Sequence, residues 1–147
     1  MPVKNPGYAY KTDVEVGKSR AEVERLLARE GAGQIITGTD YSNRSGFVAF
    51  TLKGRQYRLP VPGRDGTKRD PEQVERERWR CLVLIVKAKV ELIRSGMTTA
   101  EAEFLANTVL PDGSLVGETL APAIDQMYEE GRMLPLMPDY PKALPRG

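Results

Sequence analysis

The residues best suited to binding chemistry surround one predicted β-hairpin. Residues 44–69 hold seven Lys and Arg residues against a single acid, Asp65. Arginine carries a planar set of N–H donors that suits phosphate, and a tyrosine ring gives a base a surface on which to stack. We therefore expect this segment and the first turns of the following helix to bind an anionic ligand, through Arg55, Tyr57, Arg58, Arg64, Lys68, Arg69, Arg76 and Arg80.

A second interpretation of the same charges stays open. Charged side chains on an edge strand prevent sheets from pairing edge to edge, and a charged helix face is often simply solvated. The net charge of +2 also divides unevenly: residues 1–96 carry 19 Lys and Arg against 12 Asp and Glu, whereas residues 97–147 carry 3 against 8. The acidic end could therefore cover the basic part, within one chain or between chains.

The sequence contains few of the residue types that catalytic and metal-binding sites use. The chain has no histidine and one cysteine, which excludes a Ser-His-Asp triad, a Cys-His dyad and a Cys/His zinc site. Cys81 lies in an apolar run, so we expect an inert core thiol. Neither a Walker loop nor a Gly-x-Gly-x-x-Gly motif occurs. We expect a protein that is not an enzyme and that uses no metal or cofactor.

Period-2 patterns predict four strands. Alternation of tyrosine and β-branched residues predicts the first at 8–16, and a short helix is expected from Ser19, as its N-cap, to Gly31. Three more strands are expected, the last two joined by a tight Lys53-Gly54 turn, at 34–40, 46–52 and 55–59. Pro60 and Pro62 are expected to end the last strand, and a basic loop should follow.

A long helix is the strongest element of the pattern. Asp70 is expected as its N-cap, with Pro71 at the first helical position and Gln73 completing a capping box. The helix should run to about Arg94, where Ser95-Gly96 stops it.

The middle of this helix allows a prediction about how the helix packs. Residues 81–86 are apolar on every face, which is typical of a helix that is surrounded. Either the C-terminal helices or another copy of the chain should cover the side that the sheet does not. We therefore expect a homo-oligomer formed through the long helix, residues 79–93, with Trp79 as a core or interface anchor.

The order of the elements predicts the fold. Two shorter helices should follow the long one, beginning at Thr98 and at Thr119. We expect an α+β fold, in which a small antiparallel sheet (order strand-helix-three strands) packs against the long helix and the shorter C-terminal helices. One domain is expected over 1–132, and a Pro-rich extended tail over 133–147. With neither a signal peptide nor an apolar run of ~20 residues, the expected location is the cytoplasm, without membrane contact.

Several stretches resemble a family of small proteins encoded in phage, prophage and mobile-element genomes. They are Gly54–Pro60, the segment 78–89 with its Arg-Trp-Arg start, and the shorter segments 103–106 and 109–113. The resemblance covers most of the chain, up to Met133. It implies a mobile-element origin, and so the cytoplasm of a bacterial host, and it carries over no functional residues.

Two functions are compatible with these observations. The first is a non-catalytic protein that binds a small anionic nucleotide, such as an anti-defence sponge that sequesters a nucleotide immune signal of the host; the modest net charge and the local basic segment favour it. The alternative is an accessory protein of phage replication or recombination that binds single-stranded DNA or another nucleic acid. A protein that blocks a host factor is a third class. For the nucleotide-binding and the nucleic-acid-binding function alike, we expect ligand binding to be lost when Arg55 and Arg58 are replaced by alanine.

Overall fold

The computed structural model of the chain describes residues 6–64 and 66–131, and its fold is α+β. Three strands form one antiparallel sheet in the order β1-β2-β3. The elements are α1 (Pro6–Arg29), β1 (Ile35–Asp40), β2 (Ser45–Leu52), β3 (Arg55–Val61), α2 (Pro71–Arg94), α3 (Ala100–Glu103), a 3₁₀ turn (Leu105–Asn107) and α4 (Val116–Glu129). The predicted fold class, a small antiparallel sheet with one long and several shorter helices after it, is confirmed.

The strand predicted at residues 8–16 is wrong. α1 runs without a break through this segment, so the chain begins helix-three strands instead of strand-helix-three strands. The buried residues of α1 follow helical spacing, at Thr12, Val16, Ser19, Val23 and Leu27. Ser19 is therefore a buried residue in the middle of a helix and not an N-cap. Over a short segment, residues four apart fit both the period of a strand and the period of a helix. Packing against the rest of the chain then decides which of the two forms.

The helices α1 and α2 run parallel to each other, and two ion pairs mark their register. Toward the N-terminal ends, Arg76 Nε lies 3.2 Å from a carboxylate oxygen of Glu15, and Arg76 also donates to Thr12 Oγ1 at 2.5 Å. At the C-terminal ends, Arg94 Nε lies 2.5 Å from Glu30 Oε1. Three strands separate the two helices along the chain, and the chain reverses direction at every step from α1 through the strands to α2. The two helices therefore point the same way.

The core lies between this pair of helices and the inner face of the sheet. Trp79 is fully buried, as predicted for an anchor, and a Cβ atom at Gly46 would come within 2.7 Å of Trp79 Cζ2. Phe50, Tyr57 and Phe104 form an aromatic cluster with ring centroids 5.2, 5.3 and 5.7 Å apart. Because Phe104 follows α3, the segment after α2 completes one end of the core.

The β2–β3 hairpin is confirmed, although β3 is longer than predicted. Lys53 and Gly54 have φ angles of 50° and 80°, and a two-residue type I′ turn requires positive φ at both positions. Beyond the turn, β3 continues through Pro60 to Val61. Pro60 has no N–H to donate to the ladder, and β3 accepts it because it lies at the edge of the three-stranded sheet.

The ends of α2 lie where the sequence predicted them. Asp70 accepts a hydrogen bond from the Glu72 N–H at 3.2 Å, and Pro71 is the first helical residue. The expected capping box is incomplete, because the Gln73 amide donates to Glu77 at 3.5 Å instead. Ser95 is the C-cap of the helix.

The side of α2 that faces away from the sheet is not covered by the described residues, contrary to the expectation of a surrounded helix. Leu84 is 62% exposed and Ile85 is 48% exposed. Cys81 is also exposed, so its assignment as a core thiol is wrong. The C-terminal helices do not supply the cover, since α4 exposes Leu120 and Ile124 on its own apolar side.

The C-terminal elements differ from prediction by a few residues. Thr99, not Thr98, is the N-cap of the short α3, and its Oγ1 accepts from the Ala102 N–H at 3.1 Å. The helix α4 begins at Val116, ahead of the predicted Thr119. The predicted extended tail, 133–147, lies outside the described residues. Among the helices that the structure describes, none is long and apolar enough to cross a membrane.

Candidate functional site

The residues predicted to bind a ligand do not converge on one place. Arg55 opens β3, whereas Arg64 follows the opposite end of the strand. Seven residues at about 3.3 Å each separate these ends by roughly 20 Å. Arg58 is three positions from Arg55, and alternation along the strand places the two side chains on opposite faces. Arg55 and Arg58 therefore cannot bind one small ligand together.

Tyr57 is a core residue and not a stacking platform. Its side chain is 1% exposed, and its ring stacks on Phe50 at 5.2 Å between centroids. Burial raises the pKa of the Tyr57 hydroxyl above its usual 10.0. A base in solution cannot reach this ring face, so the predicted role of Tyr57 is corrected.

Two of the predicted basic residues already have acidic partners. Arg69 forms an ion pair with Glu77, and Arg76 forms one with Glu15. These two guanidinium groups pair with acids on α1 and α2, and not with acids of the C-terminal third of the chain. The remaining members of the predicted set that lie exposed on the surface are Arg55, Arg64, Lys68 and Arg80.

Arg58 lies on the outer face of the sheet, beside a depression of about 200 Å³. Its Nη2 donates to the Gly113 carbonyl at 3.0 Å, and its own carbonyl accepts from Asn107 Nδ2 at 3.1 Å. A guanidinium has five N–H donors, so the bond to Gly113 leaves donors for a ligand. The turn 110–114 thereby holds Arg58 across the edge of the depression.

Two amides and two apolar side chains are among the lining residues that sequence reasoning did not assign to the site. Gln34 and Gln56 bring amide groups to the depression, and Ile36 and Val109 bring apolar surface. Val109 reaches this place because its N–H donates to the Gln56 carbonyl at 2.8 Å, which adds the segment after α3 to the edge of β3. The strand alternation did put Gln56 on the same face as Arg58, but no local pattern predicted that Val109 would lie beside them.

A second group of polar residues lies on the other face of the sheet, where α1 and α2 meet its inner side. Glu75 is 5% exposed, and its carboxylate lies 3.5 Å from Arg44 Nη1. Burial raises the pKa of Glu75 above its ordinary 4.5, although Arg44 and Arg20 act to lower it, and Asp13 adds to the rise. Glu75 therefore holds a proton more tightly in the folded chain than in the unfolded one.

This shift predicts the sign of a pH effect on stability. Because the folded pKa of Glu75 is raised, its contribution to the free energy of unfolding is greatest below about 4.5 and is lost as the pH rises through the folded value. Glu75→Gln removes that titration, so the unchanged chain should lose stability relative to the variant as the pH rises above about 4.5. Urea unfolding at several pH values measures the difference, and parallel profiles would contradict it.

No group of three or more His, Cys, Asp and Glu residues that could hold a metal ion occurs within 6–64 and 66–131. The expectation of a protein without a metal stays a prediction.

The fold and the depression define a small α+β protein with a helix-three strands-helix order and an open depression on the outer face of its sheet. Comparison with known proteins adds no relative, since no family model, no curated protein and no solved structure matches the chain.

Proposed function

We propose that this is a non-catalytic binding protein that holds an anionic nucleotide on the outer face of its sheet. The observation that supports it is the position of Arg58, which the sequence singled out for anion binding and which lines the depression of about 200 Å³. Arginine suits a phosphate oxygen because its N–H groups form a planar fork. The neighbouring turn restrains Arg58 through Gly113, which lowers the entropy lost on binding.

The other lining residues suit a base. The amides of Gln34 and Gln56 each carry a donor and an acceptor, which can pair with the polar edge of a base. Ile36 is 62% exposed and offers apolar surface to a ring. A complete site for a drug-sized ligand measures about 300–1,000 Å³, so this smaller depression suits one base, with the phosphate at its rim.

A single-stranded nucleic acid is the second candidate, and one observation favours it. Exposed cations lie at or beyond both ends of β3, with Lys53 and Arg55 at one end and Arg64 and Lys68 at the other. A groove that tracks a backbone needs such cations spread along a path, whereas a small nucleotide needs them at one point. The two candidates share the base-sized depression and differ in the use of these outer residues.

The resemblance to phage and mobile-element proteins suggests the setting. The proposed nucleotide would be an immune signal of the bacterial host, which the protein would sequester in the host cytoplasm. The second candidate would instead act in phage replication or recombination. A protein that blocks a host factor would use neither Arg58 nor the depression.

Arg58→Ala is the direct test. We expect it to weaken binding by about 10- to 100-fold, since a hydrogen bond to a charged group contributes roughly 1.5–3 kcal/mol. Titration calorimetry with the four nucleoside monophosphates measures it, and Arg80→Ala on α2 is the matched control. Equal affinity in the Arg58→Ala variant and the unchanged chain would reject the site.

Arg55→Ala separates the two candidates. It should leave the affinity for a monophosphate unchanged and weaken binding of a short oligothymidylate, whose affinity should also fall steeply between roughly 50 and 200 mM salt. Binding of a monophosphate alone supports the first candidate, and binding of the oligonucleotide alone supports the second.

We also propose that two copies of the chain associate through the exposed apolar stripe of α2, defined by Cys81, Leu84, Ile85, Ala88 and Leu92. These residues recur at helical spacing on the side away from the sheet, and Leu84 is 62% exposed. A two-fold interface requires the two α2 helices to run antiparallel. With the two-fold axis near Ile85, Arg80 of each copy would lie opposite Glu91 of the partner subunit. Opposite charges would therefore meet along the edge of the stripe.

A further inference from the structure

A second cavity, of about 180 Å³, lies between α1, the end of β1 and the first turns of α2. It is on the opposite side of the sheet from Arg58, so it is separate from the site proposed above. Most of its walls are polar, and the residues that matter for its chemistry are Asp13, Gly17, Arg20, Thr39, Tyr41 and Glu75.

The cavity is lined by two buried polar atoms that the described chain leaves without a hydrogen-bond partner. Arg20 Nε and Thr39 Oγ1 are both buried and have no hydrogen-bond partner among the described residues. The Arg20 guanidinium lies 4.8 Å above the ring of Trp79, which restrains it in this position. Buried polar atoms in folded proteins almost always have a partner, so two such atoms at one cavity indicate a polar occupant.

The same cavity is also lined by acceptors. Glu75 has one guanidinium partner, with Arg44 Nη1 at 3.5 Å, and Asp13 lies near enough to influence the charge of Glu75. No ion pair joins Arg20 to Glu75 within the part of the chain that the structure describes, although both line the same cavity. The cavity therefore brings unpaired donors and carboxylates together: Asp13 and Arg20 lie seven residues apart on one face of α1, and Glu75 comes from α2.

Gly17 lies between Asp13 and Arg20 on the face of α1 that lines the cavity. It lies in the middle of the 24-residue helix α1, where glycine is less favourable than alanine by about 1 kcal/mol. A Cβ atom at Gly17 would meet nothing within 4 Å, so no neighbour in the chain requires a glycine there. A side chain at this position would therefore extend into open space beside the cavity that Gly17 lines.

We propose that this cavity binds a guanine base. Guanine presents a carbonyl oxygen directly beside N–H donors, which complements a lining that holds unpartnered donors and carboxylates side by side. The carbonyl and ring nitrogen would accept from Arg20 and Thr39, as arginine commonly donates to these atoms of guanine. The ring N–H and the amino group would donate to Glu75 and Asp13, and Tyr41, 73% exposed, would lie at the mouth.

The test uses guanosine, which has no phosphate and so does not depend on Arg58. Titration calorimetry with the full chain should detect guanosine at or below about 1 mM, with at least tenfold weaker binding of inosine and no binding of adenosine. Inosine lacks the amino group, and adenosine reverses the donors and acceptors. Failure of Arg58→Ala to affect nucleotides would leave this result untouched, so the two proposals fail separately.

Two variants connect the binding to the cavity. Gly17→Ala should raise or preserve thermal stability, because it removes a glycine from a helix, and yet weaken guanosine binding at least tenfold. Thr39→Val should weaken it similarly by removing one donor. Ala21→Leu, on the exposed side of α1, is the matched control and should bind as the unchanged chain does. Equal guanosine affinity in all four proteins, no guanosine binding by the unchanged chain, or tighter binding of adenosine would overturn the proposal.

Discussion

Replacing Trp79 with alanine should lower the free energy of unfolding by about 3–5 kcal/mol, a large part of the roughly 5–15 kcal/mol that a domain of this kind possesses. Trp79 is fully buried and is among the largest side chains in the core. Its ring fills the space above Gly46 and supports the Arg20 guanidinium. Alanine would leave a cavity that neither the sheet nor α1 can close without moving.

Unfolding in urea, followed by circular dichroism, measures this loss, since the chain has a single tryptophan and the variant therefore has no tryptophan fluorescence. Trp79→Phe should cost less than Trp79→Ala, because it keeps most of the volume and the indole N–H has no partner to lose. Tyr41→Ala is the control, an aromatic truncation at a residue that is 73% exposed. A loss of under about 1 kcal/mol for Trp79→Ala would show that the helices and the sheet do not depend on this contact.

Two aspartates placed two residues apart on α2 should have opposite consequences. Val86→Asp should lower the free energy of unfolding by more than about 3 kcal/mol, because Val86 is fully buried and the carboxylate would have no partner. Leu84→Asp should change it by no more than about 0.5 kcal/mol in the monomer, because Leu84 is 62% exposed. The effect of Leu84→Asp should instead fall on self-association.

Light scattering coupled to size-exclusion chromatography measures that effect. The unchanged chain should elute as a dimer and Leu84→Asp as a folded monomer, because a charge on each copy would meet the apolar stripe of the other. Arg80→Glu should weaken the dimer, and the double variant Arg80→Glu, Glu91→Arg should restore it. A monomeric unchanged chain would reject the proposed interface, and an unfolded Leu84→Asp variant would show that Leu84 belongs to the core.

The elements with strong local signals were predictable. Asp70 and Pro71 mark the start of α2, and Lys53-Gly54 marks the hairpin, because the N-cap and the type I′ turn each depend on a few adjacent residues. The segment 8–16 was not predictable in this way. Its alternation fits a strand, and only the contacts of Thr12 and Val16 with the rest of the core select a helix.

The candidate site was predictable only in part, and the reason is distance along the chain. Arg58 could be singled out from its type and its neighbours, but Tyr57 beside it was misassigned, because burial depends on which face of the sheet the helices cover. Val109 joins Arg58 through a contact between segments about fifty residues apart. Likewise, Arg20, Thr39 and Glu75 come from three separate elements, and no spacing in the sequence relates them.

By itself, the sequence determined the class of fold, the hairpin, the limits of α2 and the supply of basic and amide side chains, since each of these depends on local backbone preferences or on composition. The tertiary structure alone decided which of those side chains face solvent, which are neutralised by acids on a neighbouring helix, and which line a cavity together. The physical reason is that burial and charge pairing are set by contacts between distant segments, such as Arg76 with Glu15. Such contacts exist only once α1, the sheet and α2 have packed.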